Sequence, residues 1–200
     1  MDGKRIGTII KGVGGLYFVK LDGGGVVTCR GRGILRKQKV TPLVGDRAEV
    51  SCGNSEVKTG GSSQENSGGR TGDYALDAIL PRKNALKRPS VANVDQALIV
   101  AAAASPAPTP QLLDKMLVAA EYHGIEPVLC VNKTDLAPAE ELAGIYRAYP
   151  VLCVSAASGE GLGPLRDRLR GRTTVFTGNS GVGKSSLLNR ILGEERVIVS

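Results

Sequence analysis

Long apolar runs are missing from this chain: none approaches the roughly 18 residues that a membrane-crossing helix needs, although hydrophobic residues make up 42% of the composition. An export signal is missing as well. The N-terminus reads MDGKRIGTII, with acid and base ahead of only three apolar residues, which is not the pattern of a cleavable leader. The four cysteines (Cys29, Cys52, Cys130, Cys153) form no CxxC pair, and histidine occurs once, at His123. Zinc ligation within this chain is therefore not expected. Cys130 and Cys153 each sit in a Pro-Val-Leu-Cys-Val run and read as small buried core residues. These absences point to a soluble, cytosolic chain with no membrane partner. Its 200 residues leave room for one ordinary domain and a small one.

Charge is unevenly placed. The whole chain carries +7, but residues 1–51 hold ten Lys/Arg against four Asp/Glu, while the other 149 hold sixteen against fifteen. A basic surplus confined to one short segment suggests an anionic partner, RNA above all, although a solvated basic surface gives the same count.

The first fifty residues read as all-β. Ile6 to Lys11, Leu16 to Leu21, Val26 to Arg30 and Arg47 to Ser51 are short segments of β-branched or alternating character. Glycine-rich turns at 12–15, 23–25 and 31–33 separate them. Short strands with glycine turns fit a small barrel such as an OB-fold. Residues 53–73 are polar, glycine-rich and aperiodic, the composition of a disordered insertion. A strand is expected at Tyr74 to Leu80, closing a domain over 1–80, and residues 81–95 read as a basic linker.

From residue 96 strands and helices alternate. Ala97 to Ala103 is a continuous apolar run, as a strand buried on both faces should be. In the helix that follows, Thr109 suits the N-cap, Pro110 the first helical position and Gly124 the stop, with Leu112, Leu113, Met116 and Leu117 as its apolar face. His123 lies in the last turn, where a favourable dipole interaction is the simplest role. Strands are then expected at 128–131, 151–154 and 173–177, and helices at 139–149, at 162–169 and from Lys184. Alternation of this kind predicts a parallel sheet with helices on its faces.

Three motifs fall at strand ends. Gly178, Asn179, Ser180, Gly181, Val182, Gly183, Lys184 and Ser185 match GxxxxGK[ST], with Ser186 next, between a predicted strand and a predicted helix. Glycines let the backbone curl so that successive N–H groups face phosphate oxygens. Lys184 would reach the β- and γ-phosphates, Ser185 would place its hydroxyl on Mg²⁺, and the following helix adds its N-terminal dipole. The base is read elsewhere. Asn132, Lys133, Thr134 and Asp135 follow the first PVLCV strand. A carboxylate accepts hydrogen bonds only, so Asp135 can take two from guanine N1–H and the 2-amino group, a donor pair adenine lacks. Asn132 can hold the loop and the base edge, and Lys133 can lay its aliphatic stem over the ring. Ser155 and Ala156 follow the second PVLCV strand, and a backbone N–H near Ala156 can donate to guanine O6.

This trio resembles the base- and phosphate-binding motifs of the translation-factor-related GTPases, but in permuted order, with NKTD and SAAS ahead of GNSGVGKSS. With a small basic barrel in front, and stretches such as CRGRGILRK, PLVGDRAEV and LPRKNALKRPSVANVDQALIV, the chain resembles the bacterial small-ribosomal-subunit biogenesis GTPase A family. The resemblance covers nearly the whole chain outside 53–73. It implies an OB-fold that binds 16S rRNA and a GTPase domain over 96–200 that binds GTP or GDP with Mg²⁺. It further implies hydrolysis stimulated by the small subunit, late maturation of that subunit, and a zinc-bearing C-terminal domain. The sequence stops at Ser200, before the switch elements and the zinc domain of that pattern. The expectation is a truncated monomer with an incomplete sheet that binds nucleotide, hydrolyses GTP negligibly and tends to aggregate.

Alternatives remain. In an RNA-binding module whose nucleotide domain is a switch or a relic, Arg30, Arg32, Arg36, Lys37 and Lys39 would contact phosphates while Tyr17 and Phe18 stack on bases. Only one of those adjacent aromatics can face outward from a strand. A permuted GTPase without a barrel is disfavoured by the β-rich start, and an ATPase by Asp135.

Overall fold

The computed structural model describes residues 4–52, 74–87 and 89–193, with Arg36 described for its backbone only. The chain divides into two compact units, Met1–Asn93 and Val94–Ser200. The proposed insertion at 53–73 lies outside the described residues, as does the segment 194–200.

In the first unit, alternating residues close a sheet upon itself. Strands β1 (Arg5–Val13), β2 (Leu16–Leu21), β3 (Val26–Gly31), β4 (Arg47–Cys52) and β5 (Tyr74–Ile79) form a closed barrel in the order β1-β2-β3-β5-β4. All neighbours are antiparallel except β3 and β5. This is an OB-type barrel. Its interior takes every second side chain, among them Ile9, Val19, Cys29, Val50 and Leu76, each fully enclosed. Tyr17 packs against that interior, whereas Phe18, one residue on, lies beneath the Lys11 ammonium. β1 runs through Gly12 to Val13 with an irregularity between Ile9 and Lys11, so Gly12 belongs to the strand rather than to the turn.

Two features escape the strand pattern. A five-residue helix α1 (Gly33–Lys37) follows β3, where the glycines read as a turn; its Leu35 is buried in the barrel core. The stretch read as a linker contains a hairpin, β6 (Ala85–Leu86) with β7 (Val91–Ala92). Its anchor is ionic. Asp46, with no solvent exposure, accepts from Arg82 Nε at 2.6 Å and Nη2 at 2.7 Å and from the Leu43 N–H at 2.7 Å. Arg82 also donates to the Thr41 carbonyl at 2.7 Å, and Asn93 Nδ2 donates to the Gly45 carbonyl at 3.0 Å.

The second unit is a four-stranded parallel sheet. It is built from β8 (Gln96–Ala102), α2 (Pro110–Tyr122), β9 (Glu126–Asn132), α3 (Glu140–Ile145), β10 (Val151–Cys153), α4 (Leu162–Leu169), β11 (Thr174–Gly178) and α5 (Lys184–Leu192), in sheet order β10-β9-β8-β11. The chain steps outward from β8 to β10, then returns to the far side of β8. Because crossovers are right-handed, that reversal moves the later helices to the opposite face. The cores agree: Ile99, Ala101, Leu129 and Val131 pack with Leu113, Leu117 and Leu142 of α2 and α3. Leu98, Val100, Val128 and Cys130 pack with Leu165 of α4 and Leu187 of α5. All seven residues of β8 are buried, whereas β11, at a sheet edge, is half-buried throughout.

Local details depart from expectation. Thr109 occupies the N-cap of α2, but its hydroxyl makes no capping bond; its carbonyl accepts from Leu112 and Leu113 instead. On α2 the fully buried positions are Leu113, Leu117 and Ala120, with Leu112 and Met116 half-covered. His123 is the C-cap of that helix. α3 stops at Ile145, well short of 149, because Gly144 weakens it and Tyr146 leaves the helix to donate to Asp114 Oδ1 at 2.8 Å. The reading of Cys153 as a buried core residue is corrected: it lies on the edge strand β10, is exposed, and lines a cleft of about 260 Å³ with Thr134, Ala139 and Glu140.

Two tests follow from this packing. Replacing Arg82 leaves a buried carboxylate without its cation; Arg82→Met should destabilise the barrel by about 3 kcal/mol. Amide exchange of β1 and β4 would report this, and wild-type rates would remove the anchor role. Burial pushes the Cys130 thiol up to about 12 and the Cys29 thiol up to about 11. Labelling with a thiol reagent at pH 8 should therefore modify Cys52 and Cys153 first, with Cys29 and Cys130 reacting only after unfolding.

Candidate nucleotide site

Parallel strands deliver their carboxyl ends to one edge, and a reversal of strand order opens a crevice there. Here the reversal lies between β8 and β11. The loops after β9, β10 and β11 carry the three motifs, and the loop after β8 joins them.

The loop Gly178–Gly183 leaves β11 and turns into α5. Close packing dictates its glycines. A Cβ on Gly178 would lie 2.2 Å from the Val100 carbonyl oxygen, and one on Gly183 would lie 2.3 Å from Asn132 Nδ2. Gly183 also has φ 96°, in the left-handed region that side chains rarely adopt. Lys184 Nζ folds over the loop and donates to the carbonyls of Gly178 at 2.9 Å and Asn179 at 2.7 Å. Ser185 and Ser186 are exposed in the first turn of α5. Among the described residues, the Ser185 hydroxyl has no partner, so it is available to a cation.

Asn132 ends β9 with its side chain buried, 1% exposed. Its Nδ2 donates to the Val182 carbonyl at 2.9 Å, and its Oδ1 accepts from the Ala156 N–H at 3.1 Å. One amide thus ties the phosphate-loop candidate to the loop after β10. Lys133, at φ 67°, makes a second tie: its Nζ donates to the Ser105 carbonyl at 2.5 Å and the Gly181 carbonyl at 2.8 Å. Thr134 donates its N–H to the Val154 carbonyl at 3.3 Å, while its buried hydroxyl has no partner. Asp135 is exposed, and its Oδ1 accepts from Ser155 Oγ at 2.5 Å. Ser155 is itself fully buried and accepts from the Ser158 N–H at 3.0 Å.

These ties border an open cleft of about 360 Å³ lined by Asn132, Lys133, Asp135, Leu136, Ala156, Ala157, Gly183 and Ser186. That size suits a small ligand. All three motifs contribute to its wall. Sequence reasoning missed two features. The Ala156 N–H is already engaged by Asn132, a bond that no spacing announces. Arg190, in the last turn of α5, donates to the carbonyls of Ala156 at 2.9 Å and Ala157 at 2.7 Å; its only sequence signal is a basic residue in the last turn of that helix.

The basic residues of the barrel belong to the first unit. Arg30, Lys37 and Lys39 are exposed. Arg32 is exposed too, but it pairs with Asp77 at 2.7 Å and bonds Ser51. Arg36 lies on α1, with its side chain outside the described residues. Among the described residues no cluster of three or more His, Cys, Asp or Glu could hold a metal ion, and no helix is long and apolar enough to cross a membrane.

The family model described as RsgA GTPase matches residues 79–200, and that of the RsgA N-terminal domain matches residues 6–59. A small ribosomal subunit biogenesis GTPase RsgA of Alkaliphilus metalliredigens is 47% identical over 191 residues, covering 93% of this chain and 60% of the relative. The protein of that name in Caldanaerobacter subterraneus is 45% identical, covering 96% of this chain and 61% of the relative. The crystal structure of YjeQ from Thermotoga maritima superposes with a TM-score of 0.81 at 31% identity, covering 99% of this chain and 68% of that one. YloQ, described as a circularly permuted GTPase, gives 0.76 at 34% identity, covering 97% and 66%. The chain spans about 60% of the length of these curated relatives. With a family model matched over more than half of its residues, on a barrel and a parallel sheet that both superpose on solved relatives, the chain belongs to the RsgA GTPase family.

Proposed function

We propose that this chain binds GTP and GDP with Mg²⁺ at the edge of its parallel sheet while hydrolysing GTP negligibly by itself, and that it serves biogenesis of the small ribosomal subunit as a cytoplasmic, monomeric member of this GTPase family. The observation that carries the nucleotide reading is the cavity walled by all three motif loops, with the Asp135 carboxylate on its lining. The base enters that cavity. Asp135 accepts from guanine N1–H and the 2-amino group, and the alkyl chain of Lys133, held between Ser105 and Gly181, covers the ring. The phosphates lie over 178–186, where the N–H groups and the α5 dipole oppose their charge. Lys184 exchanges its carbonyl partners for phosphate oxygens. Mg²⁺ bound at the Ser185 hydroxyl would neutralise charge between the β- and γ-phosphates. The described residues account for binding; none of them is assigned to activating the attacking water.

The relatives' names place them in biogenesis of the small ribosomal subunit. Exposed Arg30, Lys37 and Lys39, with Lys11 over Phe18, give the barrel groups that contact phosphates and stack on bases. We infer that 16S rRNA is the polyanion they meet. Arg36 belongs to the same proposed set, and Arg32 contributes less, because Asp77 already neutralises it.

Fluorescent-nucleotide titration tests the base reading. Wild type should prefer GDP to ADP, and Asp135→Asn should weaken GDP about 100-fold while admitting xanthosine diphosphate. Equal GDP affinity in the variant would remove Asp135 from the site. Gly183→Ala forces a Cβ onto Asn132 in a left-handed conformation. It should weaken GDP and ADP alike by about tenfold or more, and unchanged binding would show that the loop need not keep this geometry.

A further inference from the structure

The guanine reading above leaves open what contacts O6, the atom that most plainly separates guanine from adenine. A backbone N–H after β10 is the expected donor, yet the Ala156 N–H is spent on Asn132 Oδ1 at 3.1 Å. Further along the loop, the Ser158 N–H is spent on Ser155 Oγ at 3.0 Å and the Gly159 N–H on the Ser155 carbonyl at 2.9 Å. Between them stands Ala157. It lines the same cavity, and among the described residues its N–H has no acceptor.

Two hydrogen bonds hold the peptide that carries it. Arg190 Nε donates to the Ala156 carbonyl at 2.9 Å, and its Nη2 donates to the Ala157 carbonyl at 2.7 Å. The Ala156 carbonyl and the Ala157 N–H belong to one planar peptide and point in opposite directions in the trans form. A guanidinium that holds the carbonyl therefore turns the N–H away from itself. Two donors of one rigid fork on two successive carbonyls fix both peptide planes, which a single-point cation does not do. Donation to the Ala156 carbonyl also polarises that peptide and strengthens its N–H as a donor. Arg190 is held in turn, since Arg166 Nη2 donates to the Arg190 carbonyl at 2.8 Å.

Resting on the guanine reading, we propose that Arg190 is the positioning residue that aims the Ala157 N–H at guanine O6, so that the helix opening at the phosphates also sets base specificity at its far end. Arg190 touches no nucleotide atom; it acts through the loop. Its removal costs base discrimination and leaves phosphate affinity in place.

The test compares GDP, 6-thio-GDP and ADP by competition against a fluorescent GDP analogue, on wild type, Arg190→Ala and Arg190→Lys. 6-Thio-GDP keeps N1–H and the 2-amino group but replaces O6 with sulfur, a weak acceptor. Wild type should favour GDP over 6-thio-GDP by about tenfold, one well-placed hydrogen bond. In Arg190→Ala that ratio should fall to about one or two through loss of GDP affinity, with ADP affinity unchanged, which also shows the variant to be folded. Arg190→Lys should fall between, because an ammonium holds the two carbonyls less rigidly. An unchanged GDP to 6-thio-GDP ratio in Arg190→Ala would overturn the proposal while sparing the guanine reading. Equal weakening of all three nucleotides would also overturn it, because Arg190 would then support the phosphate loop. No preference of wild type for GDP over ADP would defeat the guanine reading itself.

Discussion

One carboxamide holds the candidate site together. The Asn132 side chain is buried at the end of β9 and spends both its polar atoms on other loops, Val182 on one side and Ala156 on the other. A buried amide left unpaired costs about 1–3 kcal/mol, so the two loops are drawn to it as much as it is drawn to them. Gly183 is the counterpart: only a residue without a Cβ lets the loop come close enough to bond. Lys133 repeats the arrangement one residue on, reaching Ser105 and Gly181. Side chains of the 132–135 loop thus shape the 178–183 loop.

The sheet makes that arrangement possible. Chain order takes β8, β9 and β10 outward and returns β11 to the other flank of β8. Loops distant in sequence, such as 132–135 and 178–186, consequently end at neighbouring positions on one edge. Permuting the order of the motifs leaves this edge unchanged, because the sheet needs only that the strands be parallel and their ends aligned. Helices packed on both faces by two separate cores keep the strand ends in register.

Much of this was legible in the sequence, and the limits have physical causes. The apolar run at 97–103 identifies β8 because a strand covered on both faces has no polar side to show. Helix 162–169 has the bounds expected of it. The barrel strands could be read from alternation, and β5 despite the unreadable stretch before it. By contrast α1 is too short for a helical period to emerge from five residues. The hairpin 85–92 is held by Asp46 and Arg82, thirty-six positions apart, a pairing that no local pattern encodes. Cys130 and Cys153 sit in identical runs and have opposite fates because one strand is internal and the other is an edge. The site divides along the same line. That three motif loops gather at one cleft was readable from strand ends and fixed spacings, whereas Arg190 acts on carbonyls thirty-three and thirty-four positions away and leaves no spacing to find.

The central claim is that a single ligand is read at once by the loops after β9, β10 and β11. Nuclear magnetic resonance titration of the ¹⁵N-labelled chain with GDP and Mg²⁺ tests it most directly. The account predicts that amides in 178–186, 132–135 and 155–157 all shift and saturate with one dissociation constant, and that ADP at matched occupancy moves the 178–186 set far more than the other two. Equal responses to GDP and ADP confined to 178–186 would contradict it, because the phosphate loop would then be working without the base-reading loops that Asn132 joins to it.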